Sequence, residues 1–516
     1  MKERDKIHFF DTSSLVETGG IRERCTVDYI NGELQKRLQG ERFKVASVNI
    51  NESGEYQAKT HWLIKLLWNS GKIEGLPPFV EVVIEHCTGN EWENIIVWSP
   101  LRWNDRFAGT CGGGTCTGGE SQINEPNNGQ RGLTLPFAVV NGFTAATSDA
   151  GNEKYGADWA SDENGKLIPE RVENWRANAT HNMTVFGKAV AEILHQRAVK
   201  YSYLNGGSGG GRQSIVEVQE YPEDYDGVWA SSPAINWTKF LISGFWPMAV
   251  ANEYGAPLKY HKMNTFAKAV HESVGGSDKY YKLTERVEFD PYTLVGTKTK
   301  QGVITKADAK VIDEIWQGPR RKNGERLWHF FRPGLIHWRT GLPVFATSFI
   351  LPFMKARPFH LCSIFAKWAL EDKKATFDDI NIEKFEELYD AAMTKFRSAC
   401  ADSPDLSEFE AKGGKIMIDH GIDDPLIPVE GTINYHERIK SLMGKERTDA
   451  FCRVFLAPGD NHGNCHGNGP GITESDGMRA LMDWVENGNA PTTLRTVRIN
   501  QKTGEAMEEG TISCAD

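Results

Sequence analysis

The chain has 516 residues, of which 40% are hydrophobic and 25% charged, and its formal net charge is −10. These proportions are typical of a globular protein, and the length exceeds what one hydrophobic core usually supports, so we expect a large insertion or two domains. The negative charge and the lack of a basic cluster argue against nucleic-acid binding, and no apolar run long enough to span a membrane is present.

The cysteines and the first residues of the chain bear on its compartment. The chain has nine cysteines, an odd number that a fully paired disulfide framework would not leave. The segment MKERDKIHFF at the start has no apolar stretch typical of a signal peptide. Glycosylation sequons occur at Asn51, Asn178, Asn182 and Asn236, but such short patterns arise often by chance. We therefore expect a cytoplasmic location, or secretion if the chain is a trimmed mature form.

Short β-rich runs alternate with helical patterns through the first half of the chain. Strands are predicted at Phe79–Glu85, Asn94–Trp98, Phe137–Ala146, Tyr201–Leu204 and Gly227–Ala230. Between the strands, a helical period of apolar residues occurs at Met183–Leu194 and another helix is predicted at Gln213–Glu220. Such alternation predicts a largely parallel sheet and an α/β fold.

The alternation stops near Ile235 and returns after about residue 400. The segment between is rich in aromatic residues and short helices, including Ala307–Trp316 behind a capping box of Thr305 and Asp308. Strands return at Lys415–Ile418 and Arg453–Leu456, and a last helix is predicted at Gly477–Asn487. The predicted organisation is a first part of the core at 1–235, an inserted domain at 236–400 and a second part of the core at 401–516.

Residues 206–210, GGSGG, fit the pattern G-x-S-x-G of a nucleophile elbow, a sharp turn from a strand into a helix that exposes a serine. The predicted strand before the pattern and the helix after it provide the required context. A flexible glycine loop is the alternative, and a phosphate-binding loop fits less well because no Gly-Lys-Ser/Thr follows. Ser208 is therefore the candidate nucleophile.

Two later loops carry candidates for the acid and the base that a serine nucleophile needs. In α/β-hydrolases these residues follow strands, in the order serine, acid, histidine. Asp423 and Asp424 follow the predicted strand Lys415–Ile418, and His462 follows Arg453–Leu456. Each is an ordinary loop residue when taken alone, but this order after strands indicates a catalytic triad.

A glycine run in RWNDRFAGTCGGGTCTGG, residues 102–119, predicts an oxyanion-binding loop. Backbone N–H groups of Gly112 and Gly113 would act together with the N–H of Gly209. A plain turn is the alternative, and a nucleotide-binding loop lacks its downstream acidic residue.

A metal cluster is the other interpretation of the segment around His462. Cys465 and His466 lie close to it in sequence, but the further ligands with defined spacing that a zinc site needs are lacking. We therefore expect neither a metal nor a cofactor.

Taken together, several segments resemble the tannase/feruloyl esterase family. They are GGSGGGRQ at 206–213, YPEDYDG at 221–227, the loop at 103–114, ADSPDL at 401–406, the acid region at 413–427 and the histidine region at 453–462. The resemblance implies an α/β-hydrolase core with a large inserted lid domain, and hydrolysis of aromatic-acid esters such as galloyl or feruloyl esters. It also implies that Ser208 is the nucleophile, Asp424 the acid and His462 the base, since the family's acid directly precedes a proline.

The chain departs from the family at two places. Family members carry a cysteine before the serine and one after the histidine, bonded to each other, where this chain has Gly207 and Gly463. Their lids often bind calcium through several aspartates, whereas the segment 274–283 keeps only Asp278. Because calcium prefers six to eight oxygen ligands, we expect none here.

The expected partner is a small aromatic ester, and the oligomeric state is not predicted. Candidates for contact with the aromatic ring are Phe245, Trp246, Trp328 and Phe331, although aromatic residues of a lid more often pack its core. The alternatives are a hydrolase or acyltransferase acting on another ester, a non-catalytic binding protein that keeps the fold, and a metalloenzyme.

Overall fold

A computed structural model describes residues 2, 6–58, 72–123, 133–152, 158–274, 287–329, 331–334, 357–462, 469–500 and 502–515. The strands of this part of the chain are β1 (Arg42–Asn51), β2 (Glu55–Gln57), β3 (Lys72–Glu74), β4 (Phe79–Thr88), β5 (Glu91–Pro100), β6 (Arg106–Thr110), β7 (Thr144–Ser148), β8 (Tyr201–Gly207), β9 (Gly227–Ser231), β10 (Lys298–Thr299), β11 (Gly302–Val303), β12 (Lys415–Gly421), β13 (Cys452–Ala457), β14 (Thr493–Ile499) and β15 (Ala506–Ser513).

A nine-stranded sheet forms the centre of the molecule, with the order β1-β4-β5-β7-β6-β8-β9-β12-β13. The first four strands of this order pair antiparallel, and every pair from β7 to β13 is parallel. The predicted α/β fold with a largely parallel sheet is confirmed. Because β8, β9, β12 and β13 are parallel neighbours, the loops that follow them leave the same edge of the sheet.

Helices cover both faces of this sheet. The α-helices of the described residues are Ile21–Arg24, Val27–Arg37, Leu135–Val140, Pro169–Glu173, Ala179–His195, Gly209–Glu220, Trp237–Ser243, Trp246–Glu253, Tyr260–Ser273, Lys306–Gln317, His360–Leu370, Ile382–Phe396, Ser407–Ala411, Glu430–Met443, Lys445–Phe451 and Glu474–Asn487. Short 3-10 turns lie at Gly119–Gln122, Asp158–Ala160, Pro291–Leu294 and Arg397–Ala399, and a π-helical turn at Asn174–Asn178.

Two hydrophobic clusters hold the helices to the sheet. On one face, Ala179–His195, Gly209–Glu220 and Glu430–Met443 share a core with the strands. On the other face, Leu135–Val140 and Glu474–Asn487 do the same. This three-layer arrangement buries both faces of the sheet, as parallel strands require. In the part of the chain that the structure describes, none of the helices combines the length and the hydrophobicity of a membrane span.

A third hydrophobic cluster, here called the lid cluster, is built mainly by helices between Trp237 and Ala399. Two residues of the loop after β12 also belong to its packing, since Ile427 lies within the cluster and Leu426 packs against it. The lid cluster therefore meets the core of the molecule at the loop that carries Asp424. The boundaries 1–235, 236–400 and 401–516 remain predictions.

The structure corrects one predicted strand and adds others. Phe137–Ala146 is wrong, because the helix Leu135–Val140 fills its first half and β7 begins only at Thr144. The Thr134 hydroxyl accepts the N–H of Phe137 and starts the helix, whose residues are all buried and so show no period. The capping box of Thr305 and Asp308 is confirmed.

Candidate active site

Ser208 lies at the turn between β8 and the helix Gly209–Glu220. Its backbone angles are φ 61° and ψ −118°, a conformation that non-glycine residues seldom adopt. The Ser208 N–H donates to the carbonyl of Ser231 at 2.8 Å, and its own carbonyl accepts the N–H of Ala234 at 3.0 Å. Hydrogen bonds to the neighbouring strand and loop thus hold the strained turn in place.

The glycines on either side of Ser208 are required because backbone atoms approach them closely. A Cβ on Gly206 would lie 2.3 Å from the carbonyl oxygen of Gly210, and one on Gly210 would lie 2.5 Å from the carbonyl oxygen of Gly112. No side chain fits at such distances. The pattern G-x-S-x-G therefore corresponds to a tight strand–turn–helix unit that presents Ser208 at the end of β8.

The loops after β12 and β13 pack against each other and bring Asp424 to His462. A Cβ on Gly421 would lie 2.2 Å from the Asn461 carbonyl oxygen, so the backbones of the two loops are in contact. Asp424 Oδ2 is 2.7 Å from His462 Nδ1. The Asp424 side chain is fully buried and that of His462 is 21% exposed, so one end of the imidazole reaches solvent.

The surroundings of Asp424 keep it ionised. Burial alone would raise the pKa of this carboxyl group, but His462 and His420 beside it lower the pKa well below its ordinary range. Its Oδ1 accepts the backbone N–H groups of Leu426 at 2.7 Å and Ile427 at 3.0 Å. A buried carboxylate with several donors can orient a histidine and stabilise its imidazolium form.

Ser208 is brought to the same edge of the sheet as this pair. Its N–H bonds the end of β9, and the N–H of Ser232 bonds Asp419 in β12 at 2.7 Å. Among the described residues, no hydrogen bond joins the Ser208 hydroxyl to His462. Catalytic hydrogen bonds are often long before substrate binds, so the lack of this hydrogen bond is compatible with a triad.

The predicted oxyanion loop lies directly against the elbow. A Cβ on Gly209 would be 2.6 Å from the Gly114 carbonyl oxygen, and one on Gly210 would be 2.5 Å from that of Gly112. The N–H of Gly112 donates to the Thr117 carbonyl at 2.6 Å, which engages it within its own loop. The donor roles of Gly112 and Gly113 therefore remain predictions.

The four aromatic residues predicted to contact a substrate ring are all buried. Phe245 packs on Phe377, and the Trp246 indole N–H donates to the Glu314 carbonyl at 3.0 Å. Trp328 lies against the start of the helix Glu430–Met443, and Phe331 is 1% exposed. Each packs in the lid cluster, and substrate contact by any of them remains a prediction.

Sequence reasoning missed His420 as a member of the site. Its Nε2 lies 3.1 Å from the same Asp424 oxygen that His462 contacts. The signal available in the sequence was a histidine two residues after the predicted strand Lys415–Ile418 and four residues before the acid.

A separate group of titratable side chains lies beneath the elbow helix. His181, Glu217 and Asp224 each offer one ligand atom, and these atoms lie within 4.8 Å of one another, so these residues could hold a metal ion. Burial and the neighbouring Asp224 raise the pKa of Glu217 well above its ordinary value. Lys188 donates to the Asp224 carbonyl, which already brings an amino group to the cluster. The predicted absence of a metal at 274–283 falls mostly outside the described residues.

The sheet order, the strained serine at the elbow and the acid and histidine loops define an α/β-hydrolase. Residues 83–512 match the family model described as tannase and feruloyl esterase. A probable feruloyl esterase of Arthroderma benhamiae is 33% identical over 435 residues, covering 80% of this chain and 77% of that protein. A probable feruloyl esterase B of Aspergillus clavatus is 26% identical over 433 residues, with 80% and 77% covered.

Solved structures show the same fold. Feruloyl esterase B from Aspergillus oryzae superposes with a TM-score of 0.75 at 19% identity, covering 94% of this chain and 95% of that one. The tannin acyl hydrolase from Aspergillus niger gives a TM-score of 0.76 at 19% identity, with 97% and 93% covered. The chain belongs to the tannase and feruloyl esterase family, and it is a carboxylic-ester hydrolase.

Proposed function

We propose that the enzyme cleaves esters of phenolic acids, such as feruloyl or galloyl esters, through an acyl-serine intermediate on Ser208. The single observation that carries the serine mechanism is the 2.7 Å contact between Asp424 and His462, on loops at the edge where the elbow ends. The relatives named as feruloyl esterases support the phenolic-acid substrate class.

The proposed reaction has two steps. His462 takes the proton of the Ser208 hydroxyl, the serine attacks the ester carbonyl, and Asp424 stabilises the imidazolium that forms. The N–H of Gly209 and an N–H of Gly112 or Gly113 hold the oxyanion, and the alcohol leaves with the proton from His462. Water activated by His462 then releases the acid and restores Ser208.

The substrate class is tested with methyl ferulate, methyl gallate, methyl p-coumarate and a short-chain nitrophenyl ester, following acid release. The Ser208→Ala variant is expected to lose at least several hundredfold in kcat, and loss of a triad nucleophile can cost as much as about 10⁶-fold. Ser214→Ala removes the same atom from a buried serine of the elbow helix and is the matched control, expected to keep kcat within about threefold.

Each outcome of this assay is decisive. Equal activity of the Ser208→Ala variant and the parent would remove Ser208 from the mechanism. A folded parent that turns over only the nitrophenyl ester would contradict the phenolic-acid class and leave the serine mechanism standing. Addition of a competing alcohol separates hydrolysis from acyl transfer, because a transferase would form the new ester in place of the acid.

We also propose a reducing, cytoplasmic location. Eight of the nine cysteines lie in the described part of the chain, and all eight are free. The glycine at position 207 takes the place of one half of the bridge that joins the serine and histidine loops in the family. A thiol titration in denaturant, on protein purified without reductant, should count nine thiols, and a count lower by two or more would contradict this location.

A further inference from the structure

His420, the next-to-last residue of β12, places its ring between Asp424 and the helix Glu430–Met443. The side chain is fully buried, and both ring nitrogens have partners. Nε2 lies 3.1 Å from Asp424 Oδ2 and 3.1 Å from the Ile427 carbonyl oxygen. Nδ1 lies 2.8 Å from the Thr432 hydroxyl.

The chemistry of these partners assigns the proton on the ring. The carboxylate of Asp424 and the carbonyl of Ile427 can only accept hydrogen bonds, so Nε2 of His420 carries the hydrogen. The Thr432 hydroxyl can donate to Nδ1, and a neutral ring is then satisfied at both nitrogens. Two imidazoles therefore donate to one oxygen of Asp424, His462 through Nδ1 and His420 through Nε2.

We propose that His420, held by Thr432, is a positioning residue for the triad. This inference rests on the proposed serine mechanism. With the N–H groups of Leu426 and Ile427 on Oδ1, the bond from His420 fixes the rotation of the carboxyl group so that Oδ2 faces His462. It also takes up part of the carboxylate's charge, which limits how strongly Asp424 attracts a proton on His462.

The effect of His420 on the charge of Asp424 predicts a change in the pH profile, which a variant that is only less stable would not show. Without the donor from His420, the buried carboxylate is less well compensated and favours the protonated form of the neighbouring base more strongly. The base must be neutral to take the proton from Ser208. The acid limb of kcat/KM against pH therefore moves to higher pH when the donor is removed.

His420→Leu removes the donor and keeps an apolar side chain in the buried space. We expect kcat to fall about tenfold to a hundredfold, as for the loss of one hydrogen bond to a charged group, and the acid limb to rise by about half a pH unit or more. His420→Gln can place its amide N–H near the position of Nε2, and is expected to restore most of kcat and the parent pH profile.

Thr432→Val is the second variant, because it leaves His420 in place and removes only the hydroxyl that holds it. Its acid limb should rise in the same direction by a smaller amount. Thr432→Ser keeps the hydroxyl and serves as its matched control. The two Thr432 variants allow the proposal to be tested even if His420→Leu does not fold.

Active sites are counted by titration with a phosphonate that labels the serine, so that kcat refers to competent enzyme. The positioning role would be overturned if the acid limbs of His420→Leu and Thr432→Val both stay at the pH of the parent. If the leucine variant is unfolded, an unchanged acid limb in Thr432→Val alone has the same meaning. Full activity of Ser208→Ala would instead refute the serine mechanism itself, so the two failures are distinguishable.

Discussion

Gly209 and Gly114 approach so closely that a Cβ on Gly209 would lie 2.6 Å from the Gly114 carbonyl oxygen. The residue after the nucleophile and the predicted oxyanion loop therefore touch backbone to backbone. This contact fixes the position of the loop relative to the N–H of Gly209, which begins the elbow helix.

Gly209→Ala should force the two segments apart. We expect kcat to fall about 10²–10³-fold, the usual cost of losing one oxyanion donor, with a small effect on KM. Gly113→Ala is the matched control, since a Cβ there meets no atom within 4 Å. Steady-state kinetics of both variants measure the effect on kcat. An equal loss of kcat in both would show that the close contact of Gly209 with Gly114 is not the cause.

Asp424→Asn should abolish most of the activity, whereas Asp423→Asn should not. An asparagine at 424 cannot offer two carboxylate oxygens to the donors that surround it, and neutralising a triad carboxylate costs about 10⁴ in kcat. Asp423 is 8% exposed, and its backbone N–H bonds the Asp460 carbonyl at 3.1 Å. We expect its asparagine variant to stay within roughly tenfold of the parent. A larger loss at 423 than at 424 would reassign the acid.

His195 should make the folded protein sensitive to mild acid. Burial, with Arg197 and Arg24 nearby, lowers the pKa of His195 to about 3, and its ring nitrogens lie 2.7 Å from the Thr18 hydroxyl and 2.9 Å from the Ser99 hydroxyl. The unfolded chain takes up this proton near the ordinary value of about 6.5, so stability is full above that pH and falls as the pH drops towards 3.

At pH 5 this single group should cost on the order of 2 kcal/mol of unfolding free energy, from about 1.4 kcal/mol per pH unit. Urea denaturation at pH 7 and pH 5 measures the loss. His195→Gln is less stable at pH 7 because it disturbs both hydrogen bonds, but its stability should change less between the two pH values. An unchanged pH dependence in this variant would show that other groups control acid sensitivity.

Removing one partner of the buried ion pair between Arg332 and Glu430 should destabilise the folded protein, because the other charge stays buried without compensation. Arg332 Nε lies 2.6 Å from Glu430 Oε1, and the two side chains are 5% and 7% exposed. Arg332→Met leaves a buried carboxylate without this partner and should cost about 3–5 kcal/mol. The double variant with Glu430→Leu should recover much of that loss.

Denaturant midpoints of the parent, the two single variants and the double variant form a cycle that isolates the coupling. Arg326→Met, at an exposed arginine of the same segment, is the control and should change stability by about 0.5 kcal/mol or less. Additive effects at 332 and 430 would contradict the coupling.

The nucleophile elbow could be predicted because its determinants are local. A strand, a serine between spaced glycines and a helix occupy about 20 consecutive residues, and β8 and Gly209–Glu220 match them. Asp424 and His462 were predictable as candidates because each follows a strand. Their 2.7 Å contact depends on the packing of two loops, which no sequence period encodes.

Other features were beyond local patterns. The run Phe137–Ala146 is buried throughout, so its hydrophobicity does not distinguish the helix from β7 that follows. β1 has mixed exposure and lies at the edge of the sheet, which gives it no clear apolar run. His420 could be recognised only once the side chain was seen beside Asp424, because buried histidines often serve packing alone.

The loop that carries Asp424 contributes both to the candidate active site and to the lid cluster. The backbone N–H groups that hold Asp424 belong to Leu426 and Ile427, and the side chains of these same residues pack in or against the lid cluster. The lid cluster is thus not separate from the loop that carries Asp424. Exchanging the segment 236–400 for that of a relative would replace the surface against which the loop of Asp424 packs. Substitutions in the lid cluster are therefore expected to disturb Asp424 least at positions far from Leu426 and Ile427.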